Sequence, residues 1–450
     1  MAVHNATSPA ASGISSLLDT DLYKLTMQRA ILKFFPNVQV AYSLTNRTPH
    51  MRLNRSAFDW LQQQVESLAN LSVGEDEIDW LRETCPYFTT DYLDFLKALR
   101  LTPKKHVELS FRPICSPVSD PTLSSTPGDI SVSIRGPWVE TILYEVPMLA
   151  LISEAYFKFV DQDWNYDGQA AKAESKGRRL LESGCVFSEF GTRRRRDYKT
   201  HELVMGGLIA ATKTSKASSE NMKGSFTGTS NVHFAMRFGV PPIGTVAHEW
   251  FMGISAITDD PANANLRALD YWTETFGHGV LAIALTDTCG TPNFLKAFQK
   301  PAPRSDLSYA EIFTGVRQDS GDPLEYIAMM KEFYEAQSVR QPKTIVFSDS
   351  LNIQKSLEYK AATEAAGLKA SFGIGTFFTN DYTRVGDGAK SLPLNIVIKL
   401  SEADGRKAVK LSDNKGKNTG DDDVVRRVKA LVDYHEREWK QGDETRRWDQ

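Results

Sequence analysis

The sequence predicts an α/β protein built as a closed or nearly closed barrel of about seven parallel strands, with a smaller domain made from both chain ends. Three observations carry this. From about residue 180 onward, seven short apolar runs (184–190, 224–228, 240–244, 279–285, 314–317, 344–347 and 368–372) each end in a polar or glycine cluster, and a helix-like segment follows. Such strand-then-helix units imply parallel strands, whose C-terminal ends carry the site. After Leu392 the pattern turns antiparallel, and the N-terminal part is expected to pack with that return. Finally, 450 residues exceed one ordinary small domain. An open doubly wound sheet is the alternative. The expected division is 1–16 disordered, 17–140 with 391–450 as the smaller domain, and 141–390 as the barrel.

Element by element, Asp19 or Thr20 can cap a first helix, in which Tyr23, Met27, Ala30, Ile31 and Phe34 recur at helical spacing until Pro36 stops it. Val38, Val40, Tyr42 and Leu44 alternate as a half-buried strand. Residues 56–100 read as interrupted helix, and 106–112 and 130–134 as strands around a turn-rich loop at 116–129. Within the barrel, Asp322-Pro323 and Ser350 mark helix starts. Past Leu392, runs at 394–400 and 407–411 flank Ala403-Asp404-Gly405, a hairpin signal. Residues 414–423 are polar and expected to be mobile, and a charged, helix-like tail follows.

The charge balance, 53 Lys and Arg against 56 Asp and Glu, excludes a basic nucleic-acid coat or a polybasic membrane binder. Cys85, Cys115, Cys185 and Cys289 form no Cys-x-x-Cys pair, which predicts neither a zinc knuckle nor a disulfide scaffold. Residues 1–16 lack the apolar core of a signal peptide and the arginines of a transit peptide. The longest apolar stretch, 142–157, is interrupted by Glu145, Pro147 and Glu154 and is too broken to span a bilayer. The expectation is a soluble cytoplasmic protein without nucleic-acid or membrane partners, with nuclear entry through Arg193–Arg196 left open.

The strand ends hold the chemistry. Gly, Thr and Ser turns with backbone N–H groups at helix starts supply convergent donors for a phosphate ester, and arginine grips phosphate or carboxylate. A single turn of this kind is by default an ordinary βα loop; seven in register are harder to dismiss. Asp287, Asp319 and Asp349 are candidates for sugar hydroxyls and Mg²⁺, with Asp349 and Asp287 the metal candidates. His248 follows a predicted strand, and its neutral ring could take a phosphoryl group directly; a satisfied histidine at a helix start is the plain alternative. In the run Arg193-Arg194-Arg195-Arg196, Arg193 is expected to point into the site and the other three to be surface residues. Tyr23 lies on the apolar stripe of the first helix, where core packing is the default.

Six segments together resemble the nicotinate phosphoribosyltransferase family of fungal and bacterial type. They are Asp19-Thr20-Asp21-Leu22-Tyr23-Lys24, Ser188-Glu189-Phe190-Gly191-Thr192-Arg193, Gly228-Thr229-Ser230-Asn231, Gly244-Thr245-Val246-Ala247-His248-Glu249-Trp250, Arg317-Gln318-Asp319-Ser320-Gly321-Asp322 and Phe372-Gly373-Ile374-Gly375-Thr376. The resemblance runs from about residue 17 to about 440. It implies an irregular (β/α) barrel plus a smaller α/β sandwich domain formed by both chain ends. It also implies that nicotinate and phosphoribosyl pyrophosphate give nicotinate mononucleotide and pyrophosphate in NAD salvage, with Mg²⁺ and with ATP hydrolysis through a phosphohistidine. By resemblance that histidine is His248, with Asp287 and Asp319 as further catalytic candidates. Nicotinate falls to Tyr23, Phe190, Ser230, Thr245 and Arg317, and phosphoribosyl pyrophosphate to Arg193, Ser320, Gly321, Gly373, Gly375 and Thr376. Family relatives include monomers and homodimers, and both remain open. The nicotinamide-using relative places an aspartate where this chain has Ser230, and an acid there would repel a carboxylate. A metal-dependent barrel hydrolase or lyase is the alternative from another class; it would want a His/Asp/Glu ligand cluster that the sequence does not display.

Overall fold

The computed structural model describes residues 12–114, 123–218, 223–413 and 418–434. Its first helix, Leu22–Phe34, ends before Pro36 as expected, but its N-cap is Asp21, whose side chain makes no cap bond. Asp19 and Thr20 are instead fully buried. Residues 12–16, expected to be disordered, are held: Ser12 Oγ and Gly13 N donate to Glu154 Oε1 at 2.7 and 3.0 Å, and Ser16 Oγ donates to Glu77.

The strands in chain order are β1 (Gln39–Asn46), β2 (Leu53–Asn54), β3 (Val107–Pro113), β4 (Pro127–Pro137), β5 (Val186–Glu189), β6 (Ser225–Thr229), β7 (Ile283–Leu285), β8 (Gly315–Gln318), β9 (Thr344–Phe347), β10 (Lys369–Ile374), β11 (Tyr382–Thr383), β12 (Lys390–Ser391), β13 (Ile396–Ala403) and β14 (Arg406–Lys407). One sheet is antiparallel, in the order β14-β13-β1-β4-β2 with β3 also on β4, so strands from both chain ends share it. Its β13–β14 turn is Asp404-Gly405 with both residues at positive φ, the pair that a two-residue hairpin of that twist needs. The other sheet is parallel, in the order β6-β5-β10-β9-β8-β7. Its interior is aromatic and β-branched: Phe187, Val316, Ile345, Phe347 and Phe372 are fully buried, and the Phe347 and Phe372 rings stack at 5.6 Å.

Six of the seven predicted runs are strands of this sheet. The seventh, 240–244, contributes only a bridge between Pro242 and Thr229, because Pro241 and Pro242 have no N–H to give a ladder. The segment still spans the edge: Thr229 N donates to Pro241 O, Ile243 N to Thr229 O, and Thr245 Oγ1 to Ile283 O on β7.

Helix starts follow the strand ends. Pro323–Ala336 is capped by Asp322, which accepts from Leu324 N at 2.8 Å. The next helix begins at Ile353 with Asn352 as its cap; Ser350, expected to start it, lies two residues earlier at φ 49°. Within 414–423, residues 414–417 lie outside the described residues, while Asp421 caps the helix Asp422–Leu431. The predicted loop at 116–129 lies outside the described residues up to 122, and Pro127 already begins β4. Cys85, Cys185 and Cys289 are free and buried; Cys115 is outside the described residues. Among the described residues, no helix is long and apolar enough to cross a membrane.

Two of the four consecutive arginines overturn their expected surface position. Arg195 is fully buried, with its guanidinium on both oxygens of Asp19 at 2.8 Å. Arg196 is also fully buried, 3.6 Å above the Phe157 ring and 4.1 Å above Tyr382. A charge run paired with distant partners is structural, and these two side chains are unavailable to a receptor that reads exposed basic residues.

Candidate active site

His248 opens the helix His248–Thr258 and is 5% exposed. Its Nδ1 lies 2.9 Å from Thr288 Oγ1, just beyond β7. Its Nε2 lies 2.9 Å from Lys410 Nζ and 3.0 Å from Asp319 Oδ2, just beyond β8. Burial first, and then the Lys410 ammonium, push the ring down to about 4, so it is neutral near pH 7. With the Lys410 ammonium donating to Nε2, the assignment that satisfies both nitrogens puts the proton on Nδ1, donated to Thr288, and makes Nε2 an acceptor from Lys410 beside the Asp319 carboxylate.

The carboxylates around it are held ionised. Burial alone would raise Asp319, but the Arg317 guanidinium first, and the Lys410 ammonium with it, hold it well below the usual carboxylate range. Arg317 NH2 donates to Asp319 Oδ1 at 2.7 Å, and Arg317 Nε donates to Ser348 Oγ at 2.8 Å. Asp287 accepts from Ser320 Oγ at 2.5 Å and stands 3.4 Å from Lys410, whose ammonium lowers its carboxyl against burial.

Beside this cluster opens a cavity of about 310 Å³. Its walls carry Arg47, Arg193, Arg194, Arg317, Lys355, Lys390, Lys399 and Lys410 against Asp319, Asp349 and Asp381, so the field inside it is strongly positive. Phe190, Gly373, Gly375 and Thr376 form part of the same wall. A Cβ on Gly373 would sit 2.4 Å from the Phe190 ring, so the missing side chain is what lets that ring lie on the end of β10. A narrow cleft of about 40 Å³ is lined by Tyr23, Glu145, Arg193, His248, Arg317, Asp319 and Lys399. Tyr23 is 8% exposed with no partner for its hydroxyl, and Arg193 lies 5.9 Å from its ring centre.

The structure therefore brings together His248, Asp287, Asp319, Tyr23, Phe190, Arg193, Arg317, Asp349, Gly373, Gly375 and Thr376, with Ser320 behind Asp287 and Gly321 at positive φ after it. Thr245 departs from the expectation. Its hydroxyl is committed to Ile283 O, and it lines a separate hollow with Leu22, Trp80 and Tyr87. Ser230 is 3% exposed and donates to Asp21 Oδ1 at 2.8 Å, while burial raises the Asp21 carboxyl. An acid does stand beside this position, satisfied by Ser230 and 3.9 Å from Arg193 Nε.

Three features were not foreseen. Lys410 reaches His248 from the C-terminal return, a contact across 162 residues that no local pattern signals. Lys399, on β13, lines both cavities, and burial followed by the Lys410 charge pushes its ammonium down to about 7. Lys24 is fully buried between Glu145, at 2.5 Å, and Glu249, which also accepts from Tyr42 OH and Trp138 Nε1. Contrary to expectation, a ligand-type cluster does exist: oxygens of Asp287 and Asp319 and a nitrogen of His248 lie within 4.8 Å of one another. Lys410 already supplies a cation at that point, so the cluster does not fit a resident divalent ion.

Comparisons with known proteins give the family. The model of the nicotinate phosphoribosyltransferase family matches residues 185–436, and that of its N-terminal domain matches residues 18–153. The nicotinate phosphoribosyltransferase of Saccharomyces cerevisiae is 44% identical over 440 residues, covering 97% of this chain and 99% of its own. A Schizosaccharomyces pombe chain is 46% identical, covering 92% of this chain and 97% of its own. Among solved structures, one from Saccharomyces cerevisiae superposes with a TM-score of 0.87 at 43% identity, covering 95% of this chain and all of that one. The protein described here belongs to the nicotinate phosphoribosyltransferase family.

Proposed function

We propose that the protein transfers the phosphoribosyl group of phosphoribosyl pyrophosphate to nicotinate, giving nicotinate mononucleotide and pyrophosphate as a step of NAD salvage. The observation that carries this reading is the basic cavity joined through Arg317 and Asp319 to the aromatic cleft of Tyr23 and the His248 cluster. A bis-phosphorylated sugar needs many cations in one hollow, and a flat pyridine carboxylate needs an aromatic wall beside an arginine.

In this reading the pyridine nitrogen forms the bond to sugar C1 as the C1–oxygen bond to pyrophosphate breaks, and the electron pair leaves with pyrophosphate. Arg317 takes the nicotinate carboxylate, assisted by Arg193; Tyr23 and Phe190 bound the ring. Asp319, held ionised at the junction of the two cavities, is placed to offset the positive charge that develops on the sugar. Thr376, with Gly373 and Gly375, takes the 5-phosphate. Mg²⁺ arrives with the pyrophosphate as part of the substrate, with Asp349 at the cavity edge to meet its water shell. ATP phosphorylates His248, and the added charge orders the phosphoribosyl site.

The finer architecture belongs to the same proposal. The six parallel strands, closed at one edge by the proline-bearing 241–246 segment, form an irregular barrel from the described residues of 141–390, and the described residues of 17–140 and 391–450 form the smaller unit. One chain supplies Tyr23, Arg193, His248 and Lys410 to this site, in a monomer or a homodimer.

The test is mass identification of the product from nicotinate, phosphoribosyl pyrophosphate, Mg²⁺ and ATP. Nicotinate mononucleotide is expected, and its formation must stop when phosphoribosyl pyrophosphate is omitted. Hydrolysis of phosphoribosyl pyrophosphate without a mononucleotide would favour the hydrolase alternative.

A further inference from the structure

We propose that Lys410 is a catalytic residue of phosphoryl transfer to His248, delivered by a strap, residues 408–413, that the C-terminal return inserts between the ends of β7 and β8. This rests on the reading of His248 as the phosphoryl acceptor. The strap leaves the β13–β14 hairpin and is pinned to the barrel at successive points. Leu411 N donates to Thr288 O at 2.8 Å, Asp413 N donates to Ser320 Oγ at 3.0 Å, and Thr291 donates from N and Oγ1 to the two oxygens of Asp413 at 2.8 and 2.6 Å.

Thr288 makes the arrangement specific. Its hydroxyl meets His248 Nδ1 at 2.9 Å while its carbonyl holds the residue after Lys410. One residue therefore fixes the ring through Nδ1 and fixes the backbone that brings Lys410 Nζ to within 2.9 Å of Nε2 on the other side. Long lysines at a surface rarely hold such a position; here the side chain is only 10% exposed and has Asp287 Oδ2 at 3.4 Å as its counter-charge.

The Nε2 lone pair forms the N–P bond to the γ-phosphorus of ATP, the bond from that phosphorus to the β–γ bridging oxygen breaks, and ADP leaves with the electron pair. Nδ1 keeps its proton on the Thr288 hydroxyl. Lys410 moves from the lone pair to the transferred phosphoryl oxygens, whose charge its ammonium offsets in a site with little water.

The experiment follows label entering the full-length chain from ATP labelled in its γ-phosphoryl group. Three chains are compared: the unsubstituted protein, Lys410→Ala and Lys410→Arg. Lys410→Ala should slow labelling by about 100-fold. Lys410→Arg should restore much of it, and added ethylammonium should speed labelling of Lys410→Ala without speeding the unsubstituted protein. Labelling of Lys410→Ala at the unsubstituted rate would overturn the role of Lys410 alone. A loss that neither arginine nor ethylammonium relieves would make Lys410 structural and overturn the assignment. An unsubstituted protein that takes no label would overturn the reading of His248, and the role of Lys410 with it.

Discussion

Arg317 and Asp319 leave the same strand end and are joined by a 2.7 Å ion pair, while the second oxygen of Asp319 faces His248 Nε2 at 3.0 Å. One carboxylate thus stands between the arginine proposed to read the substrate and the imidazole proposed to accept phosphate. An arginine drawn toward a carboxylate substrate loosens its hold on Asp319, and a phosphoryl group on Nε2 repels that same carboxylate. Each event changes the field for the other, which is how binding at two places becomes one coupling free energy.

Asp319→Asn keeps the shape and removes the charge. Its kcat for nicotinate mononucleotide formation should fall by about 100-fold, since a charge aimed at the reacting centre is lost. Steady-state assay at saturating substrates measures this. A variant within twofold of the unsubstituted protein would take Asp319 out of the chemistry.

Arg317→Met removes a charge-assisted hydrogen bond of about 1.5–3 kcal/mol to the substrate carboxylate. The KM for nicotinate should rise about 10- to 100-fold, on the same scale. Titration of nicotinate at fixed phosphoribosyl pyrophosphate reads it. An unchanged KM would point to Arg193 as the carboxylate reader.

Lys24→Met would leave Glu145 and Glu249 facing each other in the core, since Lys24 bridges both and is fully buried. Breaking such a cluster from one side costs about 3–5 kcal/mol. Denaturant midpoints should drop accordingly, and Glu145→Gln added to Lys24→Met should recover part of the loss. Equal midpoints for Lys24→Met and the unsubstituted protein would remove this cluster from the account of stability.

Lys399 gives a pH dependence with a defined sign. Burial and then Lys410 lower its ammonium to about 7, so below that pH the cavity carries one more positive charge and above it the charge is lost. The kcat/KM for phosphoribosyl pyrophosphate, which reports the free enzyme, should therefore fall as pH rises through about 7. Lys399→Met should lack that inflection. If the inflection persists in the variant, another group titrates there.

Much of this was legible because it is local. Apolar runs ending in Gly, Thr and Asp announce strand ends, and six of those read became parallel strands. The seventh failed at Pro241-Pro242, a reason already visible in the sequence. His248, Arg317 and Asp319 were found because each directly follows or ends such a run. What was missed depends on distant chain. Arg195 and Arg196 look solvated until Asp19, Phe157 and Tyr382 close over them. Lys410 and Lys399 sit in an antiparallel return whose local pattern says only hairpin, and the register that aims them at the barrel is not written there. Thr245 and Ser230 share motifs with site residues, yet their hydroxyls are spent on Ile283 and Asp21.

The central claim is that a pyridine carboxylate is read by arginine beside a phosphorylatable histidine. The most direct measurement is mononucleotide formation from nicotinate and from nicotinamide in parallel, each with phosphoribosyl pyrophosphate and Mg²⁺, with and without ATP. Product from nicotinate alone, increased by ATP, is the predicted result. Equal or greater product from nicotinamide would contradict the account of Arg317.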